Sequence, residues 1–185
     1  MYKKVWVLVC VIFSLCNTYT FAQAKVDASL KVVILRHAEK PKKGDNLTCQ
    51  GLNRAMQIPA VLVPKFGIPD YTYVPMMSHK ESTNHARMME TVMPLAVKYN
   101  LTINSQYDKK DAEHVAADIK TKKGTVLMVW EHHALTDIVK ALGVKEEYVW
   151  DDADYDSIWI VTYPNGIATL SKDKEGLHPS ADCSY

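Results

Sequence analysis

The sequence is poor in arginine and has no block of basic residues. Of its 22 lysines and arginines, only three are arginines: Arg36, Arg54 and Arg87. The formal net charge is +1, so no basic patch predicts a nucleic-acid partner. Hydrophobic residues make up 48% of the chain, which argues against a disordered protein. Any function that needs a planar, permanently charged guanidinium therefore has three candidate positions.

Long hydrophobic runs are also missing, apart from one near the N-terminus. Residues 5–16 form an apolar run that follows two lysines, and residues 22–24, Ala-Gln-Ala, match the pattern of a signal-peptidase site. Crossing the hydrocarbon core of a membrane takes about 20 apolar residues, so this run is too short for a stable anchor. We predict that residues 1–24 are a signal peptide, with lipoprotein processing at Cys16 as the alternative.

Export follows from that prediction. Residues 25–185 would form one domain in the periplasm or outside the cell, where a disulfide can persist. The cysteines that remain in this part of the chain are Cys49 and Cys183. We predict that they pair and fasten the C-terminal tail to the loop before the first helix. The alternative is two free thiols, because sequence alone does not give the Cα separation.

Strand-like apolar runs alternate with helical patterns along residues 25–185. We predict strands at residues 31–35, 71–77, 101–105, 125–130, 157–163 and 167–171, and helices at residues 52–66, 83–99, 110–122 and 135–142. Pro164-Asn165-Gly166 is a hairpin turn signal between the last two strands. The alternation predicts a three-layer α/β/α sandwich around a mainly parallel sheet. Ligands of such sheets bind outside the carboxyl ends of the strands.

Two of the predicted strands, far apart in sequence, end near a histidine. Arg36 and His37 follow the strand at residues 31–35, and His132 follows the strand at residues 125–130. If these strands are neighbours, both imidazoles and the guanidinium converge on one point. An arginine fork beside two imidazoles suits a phosphate group. A histidine in this position can also attack phosphorus through its unprotonated nitrogen.

A zinc site made of His37, His132 and His133 is an alternative use of the same residues. Adjacent residues of a strand point to opposite faces, which would separate His132 from His133, and Arg36 would repel a cation. The sequence also lacks the HExxH and CxxC patterns of metal sites. We therefore expect neither a metal nor a cofactor.

Four segments share their order with the motifs of a known family. They are residues 33–39 (VILRHAE), residues 47–55 (LTCQGLNRA), Ser78 with residues 87–91 (RMMET), and residues 125–133 (TVLMVWEHH). The first resembles an RHG motif with Ala38 in the usual glycine position, and the last resembles a strand that delivers a second histidine. Together they resemble the histidine phosphatase superfamily, here in a small exported form, and imply the phosphoglycerate mutase-like fold.

The resemblance implies a metal-independent hydrolysis of a phosphomonoester through a phosphohistidine on His37. Arg36, Arg87 and His132 would hold the phosphoryl oxygens, and the partner would be a small phosphorylated substrate or phosphate. Glu131 and Asp108 are the candidate donors of the proton that the leaving oxygen needs. The alternative is a non-catalytic protein that binds phosphate or another anion in the same pocket.

Three further basic residues lie close to these motifs. We expect Arg54 to have a structural role in an ion pair rather than a role in the pocket. Lys42 and Lys43 either attract an anionic substrate to the site or belong to a solvated turn.

Overall fold

A computed structural model describes residues 25–78 and 83–183 of the chain. The predicted signal peptide at residues 1–24 lies outside these residues, as does part of the segment that follows Ser78. Within the described part, no helix is both long and apolar enough to cross a membrane.

Strands and helices alternate along the described residues. The strands are β1 (Lys31–Arg36), β2 (Tyr71–Tyr73), β3 (Ile103–Asn104), β4 (Thr125–Trp130), β5 (Ser157–Thr162) and β6 (Thr169–Lys174). The helices are α1 (Cys49–Phe66), α2 (Ala86–Tyr99), α3 (Ala112–Ile119) and α4 (His132–Ala141). A short 3₁₀ turn at Pro164–Gly166 joins β5 to β6.

The strands form one sheet in the order β3-β2-β4-β1-β5-β6. β3, β2, β4 and β1 are parallel to one another, whereas β5 is antiparallel to both of its neighbours. β1 and β4 lie side by side, with Arg36 opposite Trp130. The two strands that end near a histidine are therefore neighbours, and their carboxyl ends share one edge of the sheet.

Helices cover both faces of the sheet because successive residues of β1 and β4 point to opposite faces. On one face, Val32 and Ile34 belong to a buried cluster with Val115 of α3 and Ile138 of α4. On the other face, Val33 and Leu35 belong to a second cluster with Ile58 of α1 and Leu95 of α2. This arrangement confirms the predicted α/β/α sandwich with a mainly parallel sheet.

Two helices begin earlier than predicted. α1 begins at Cys49 instead of residue 52, because the Thr48 hydroxyl accepts a hydrogen bond from the Gly51 N–H at 3.1 Å and caps the helix. α1 also continues past Pro59 and Pro64 to Phe66. α4 begins at His132 instead of residue 135, directly after the strand that carries it.

Most remaining differences from the prediction shorten an element. β2 ends at Tyr73 instead of residue 77, because Pro75 has no N–H to donate to a sheet ladder. β3 has two residues instead of five, α2 begins at Ala86 instead of residue 83, and α3 spans Ala112–Ile119 instead of residues 110–122. The 3₁₀ turn moves the start of β6 from residue 167 to Thr169.

The C-terminal tail is attached to the start of α1. Cys49 and Cys183 form a disulfide with their Cα atoms 5.0 Å apart. The Asn53 amide donates to the backbone carbonyls of Ser180 and Asp182 at 2.9 and 2.8 Å. These contacts hold the tail against the helix that begins close to the loop after β1.

Candidate active site

His37 and His132 lie together at the carboxyl edge of the sheet. His37 follows the last residue of β1, and its backbone N–H donates to the Trp130 carbonyl at the end of β4 at 3.0 Å. His132 opens α4 two residues after Trp130. Both side chains are buried, because His37 is 2% and His132 is 6% exposed.

The ring of His37 is held in an orientation that suits a nucleophile. Its Nδ1 atom lies 2.7 Å from the carbonyl oxygen of Ala38, and an oxygen acceptor at this position fixes the proton on Nδ1. Burial, together with the charges of Arg36, Arg87 and His132, lowers the pKa of His37 to about 4. The imidazole is therefore neutral at pH 7, with an unshared electron pair on Nε2.

The side chains that lower the pKa of His37 come from three different elements of the fold. Arg36, Arg87 and His132 come from β1, α2 and α4, and all three act on the His37 ring. The structure thus brings together the four pocket residues that the sequence motifs single out.

Arg36 is oriented by the loop before β5. One guanidinium nitrogen, Nη1, donates to the backbone carbonyls of Asp152 at 2.6 Å and Asp154 at 3.1 Å. The guanidinium also lies 4.0 Å from the ring centroid of Tyr155, which is a cation–π distance. The ring of Tyr155 is in turn 6.2 Å from the ring of His37. Tyr155 is therefore a wall of the pocket that no sequence motif indicated.

Thr91 connects Arg87 to the loop after His37. Its hydroxyl donates to the Arg87 carbonyl at 2.7 Å and accepts from the Ala38 N–H at 3.0 Å. Thr91 is completely buried, so its position is fixed by packing as well as by these bonds. Arg87 also donates from Nη2 to the carbonyl of Gly44. The first turn of α2 is thereby locked against the segment that follows His37.

Unpaired polar atoms concentrate in this pocket. Among the described residues, four buried side-chain nitrogen or oxygen atoms have no hydrogen-bond partner. One is the Thr72 hydroxyl oxygen, and the other three are Nε of Arg36, Nε of Arg87 and Nδ1 of His132. Buried polar atoms rarely stay unpaired in proteins without a functional reason. Two guanidinium donors and an imidazole around a neutral histidine form a site for a tetrahedral anion.

Asp152 is a second pocket residue that sequence analysis missed. Its Oδ1 atom lies 2.8 Å from Nε2 of His132, while the Asp152 side chain is 82% exposed. Burial and the charges of Arg36 and His133 lower the pKa of His132, and the contact with Asp152 opposes that shift. Residues 151–156 (DDADYD) match no motif, so only the fold shows that this acidic loop closes the site.

The two predicted proton donors are placed less favourably. Glu131 forms an ion pair with Lys109 at 2.8 Å. Burial opposes ionisation of Glu131, but the hydrogen bond and charge of Lys109 lower its pKa below the ordinary value. Asp108 is exposed, and its carboxylate accepts the backbone N–H of Lys110 at 2.9 Å. Glu131 is thus ionised at neutral pH, and Asp108 faces solvent.

His133 does not point away from His132 as the strand argument against zinc assumed. Both residues belong to the first turn of α4, and their ring centroids are 3.9 Å apart. That part of the argument is wrong because β4 ends at Trp130. His37 is not part of the cluster of potential metal ligands near His132, which consists of His132, His133 and Asp152.

Arg54 holds a buried ion network next to the site. It contacts Glu39 at 2.9 Å and Glu175 at 2.6 Å, and its own side chain is 6% exposed. Glu39 lies two residues after His37, the predicted nucleophile. The network therefore anchors the loop after β1, here called the nucleophile loop, to α1 and to the segment after β6. Arg54 therefore has the structural role that we expected.

Gly51 is needed where α1 approaches the nucleophile loop. A Cβ atom at this position would lie 2.3 Å from the Glu39 carbonyl oxygen. Lys42 and Lys43, in the same loop, are exposed. Both of the alternatives for these lysines are compatible with that exposure.

A central, mainly parallel sheet with two histidines and two arginines at its carboxyl edge defines the class of fold. The chain has the phosphoglycerate mutase-like fold. No protein-family model and no curated protein matches the sequence.

Several solved structures share this fold. The protein histidine phosphatase SixA complexed with tungstate has a TM-score of 0.59 and 16% identity, covering 78% of this chain and 97% of that one. A mutant phosphoserine phosphatase from Entamoeba histolytica, in complex with phosphoserine, has a TM-score of 0.55 and 11% identity, covering 80% and 97%. A putative phosphohistidine phosphatase SixA from Agrobacterium tumefaciens has a TM-score of 0.52 and 15% identity, covering 80% and 98%. At these identities the similarity establishes the fold.

Proposed function

We propose that the protein is a metal-independent phosphatase that hydrolyses a phosphomonoester through a phosphohistidine on His37. The observation that carries this proposal is the group of three unpaired buried nitrogens, on Arg36, Arg87 and His132, around a neutral His37. The similarly folded structures that hold tungstate or phosphoserine support an anionic, phosphorylated ligand.

In the first step, Nε2 of His37 attacks the phosphorus atom and the bond from phosphorus to the leaving oxygen breaks. Arg36 and Arg87 hold the other phosphoryl oxygens and stabilise the charge that develops on them. Both guanidinium groups are fixed before the substrate arrives, by the carbonyls of the loop before β5 and by the carbonyl of Gly44. Such preorganisation means that little reorganisation accompanies the reaction.

The leaving oxygen requires a proton, and we assign it to the pair formed by His132 and Asp152. An anion bound in the pocket raises the pKa of His132, because negative charge favours the protonated ring. Protonated His132 then gives its Nδ1 proton to the leaving oxygen, while Asp152 accepts a hydrogen bond from Nε2. Glu131 is the weaker candidate because Lys109 keeps its carboxylate ionised, and the exposed Asp108 has no contact with the pocket among those described.

The second step restores the enzyme. Water attacks the phosphorus atom, gives a proton to the His132–Asp152 pair, and the bond between phosphorus and Nε2 of His37 breaks. Phosphate leaves and His37 is again neutral. The reaction balances with water as the only co-reactant.

A small substrate fits the exposed mouth of the site. Asp152, at the edge of the pocket, is 82% exposed, so a phosphorylated side chain or a short phosphomonoester can approach. We also propose that the protein acts after export, and the Cys49–Cys183 disulfide supports an oxidising compartment.

The test compares wild-type protein with His37→Ala on a panel of phosphomonoesters that includes p-nitrophenyl phosphate. We expect turnover and a trapped phosphohistidine in the wild type, and neither in the variant. His114→Ala is the matched control, because the His114 side chain is 80% exposed on α3; it should retain full activity. Retained hydrolysis in His37→Ala would contradict the mechanism.

The alternative function is binding of phosphate without chemistry. Its basis is the same pocket, and it predicts that phosphate raises the melting temperature of the wild type while no substrate is turned over. Thermal melts with phosphate, combined with the turnover assay, therefore separate the two functions: stabilisation without turnover indicates binding alone.

A further inference from the structure

Three side chains at the mouth of the site have the donor atoms that bind transition metals. His132 and His133 each offer a ring nitrogen and Asp152 offers a carboxylate oxygen, and these atoms all lie within 4.8 Å of one another. The chain brings them together in two ways. α4 begins directly after β4, which places both histidines on one helical turn, and the loop before β5 returns Asp152 to the same point.

We infer that His132, His133 and Asp152 form a binding site for a divalent transition ion of the zinc type. Two imidazoles and a carboxylate are a donor set that zinc prefers, whereas magnesium and calcium prefer oxygen ligands alone. Three protein ligands leave the fourth position of a tetrahedral ion for water or a substrate oxygen.

The distance between His132 and Asp152 is close to the one that a shared ion requires. Nε2 of His132 and Oδ1 of Asp152 are 2.8 Å apart, whereas two ligands of a tetrahedral zinc ion lie roughly 3.3 Å apart. A movement of about half an ångström in the exposed Asp152 side chain opens the required space. His133 is also exposed, so its ring can turn toward the ion while His132 stays in place.

The ligand atom on the buried member of the cluster faces the exposed carboxylate. His132 is 6% exposed, and its Nε2 atom lies 2.8 Å from Oδ1 of Asp152. An ion between these two atoms leaves Nδ1 of His132 facing the pocket, so the buried ring keeps its orientation. The surface pair of His114 and Asp111 is different, because it has one histidine and lies on the exposed side of α3.

The positive charge of Arg36 opposes a cation here, but acidic residues surround that charge. The carboxylates of Asp151, Asp152 and Asp154 all interact favourably with the Arg36 guanidinium. Asp151 and Asp154 are not ligands in the proposed site. Their negative charges therefore offset the positive charge of Arg36 even when Asp152 binds the ion.

Zinc in this site would inhibit the phosphatase, and this consequence rests on the proposed function. A metal ion on His132 occupies a ring nitrogen and replaces the proton that His132 and Asp152 share. The pair can then neither donate the proton nor hold a phosphoryl oxygen in the same way. Zinc is therefore expected to compete with substrate.

Isothermal titration of the protein with zinc chloride tests the site without reference to catalysis. Wild type should bind one ion, His133→Ala should bind at least about tenfold more weakly because one of three ligands is gone, and His114→Ala should match the wild type. Absence of binding, or equal affinity in His133→Ala, would overturn the site.

The phosphatase assay tests the consequence separately. Each protein is compared with its own rate without zinc, because the charge of His133 lowers the pKa of His132 and His133→Ala therefore shifts the basal activity. The zinc concentration that halves the activity should be at least about tenfold higher for His133→Ala than for the wild type, in parallel with the weaker binding. Zinc that binds to an active wild type without inhibiting it would refute the competition. A protein that lacks phosphatase activity but binds zinc through His133 would refute the proposed function and leave the metal site intact.

Discussion

The buried imidazole of His37 should make the stability of the fold sensitive to mild acid. Burial is the main cause that lowers the pKa of His37 from 6.5 to about 4 in the folded protein. The unfolded chain keeps an ordinary imidazole, so between these two values it binds more protons than the folded protein. The contribution of His37 is therefore fully present above about pH 6.5, and it is lost as the pH falls toward 4.

The size of the effect follows from the difference between the two pKa values. A difference of about 2.5 corresponds to about 3 kcal/mol of unfolding free energy, since each pKa unit is worth about 1.4 kcal/mol. About 2 kcal/mol of this is lost between pH 7 and pH 5, where the unfolded imidazole is almost fully protonated and the folded one is not. The burial of His37, at 2% exposed, leaves little solvent screening to reduce it.

Urea unfolding at pH 7 and pH 5 measures this loss directly. Wild type should lose about 2 kcal/mol more than His37→Gln over this interval, because glutamine does not titrate. Burial raises the pKa of Glu175 to about 7, but Glu175 is common to both proteins and cancels in the difference. His114→Gln should behave like the wild type. Equal losses in wild type and His37→Gln would refute the reasoning that burial keeps His37 neutral.

Three further predictions concern the structure that supports the nucleophile loop. Gly51→Ala should lower the free energy of unfolding by about 1–3 kcal/mol in urea titrations, because its Cβ atom would clash with the Glu39 carbonyl; an unchanged midpoint would contradict the close approach. Arg54→Met should destabilise the protein by about 3–5 kcal/mol, because it leaves the buried Glu175 and the half-buried Glu39 without their partner. Urea titrations that give a smaller loss would show that the network is solvated. Reduction of the Cys49–Cys183 disulfide, which spans 134 positions, should lower the unfolding free energy by about 2–5 kcal/mol. Cys183→Ala should have the melting temperature of the reduced protein, and reductant should not change it.

The sheet and the positions of its two histidines could be predicted because their signals are local. The β-branched runs that become β1 and β4 are buried on both faces, which leaves a continuous apolar pattern in the sequence. His37 and His132 follow these runs closely, so the position of each strand also gives the position of a histidine. The helix starts were harder, since a cap such as Thr48 outweighs the hydrophobic pattern that follows it.

The carboxylate that contacts His132 was harder to predict, because the sequence does not show which residues meet in the fold. Glu131 is adjacent to His132 in the chain, which made it a reasonable candidate. In the fold, Lys109 approaches from the segment before α3 and pairs with Glu131. Asp152 is 20 residues away from His132, and it is the carboxylate that reaches the ring. The carboxylate next to His132 in the sequence, Glu131, thus pairs with a lysine in the fold, and a more distant carboxylate contacts His132.

The loop before β5 shows why the groups that orient Arg36 have no sequence signature. Arg36 is held there by the backbone carbonyls of Asp152 and Asp154. Every residue type has the same backbone carbonyl, whatever its side chain. Motifs record side chains that do chemistry, whereas the groups that orient those side chains here belong to the main chain. The side chain of Asp152, which does contact His132, is 82% exposed and so lies outside the patterns that burial imposes on a sequence. A loop of this kind can change its residues and still hold Arg36, while the same changes alter what the mouth of the site binds.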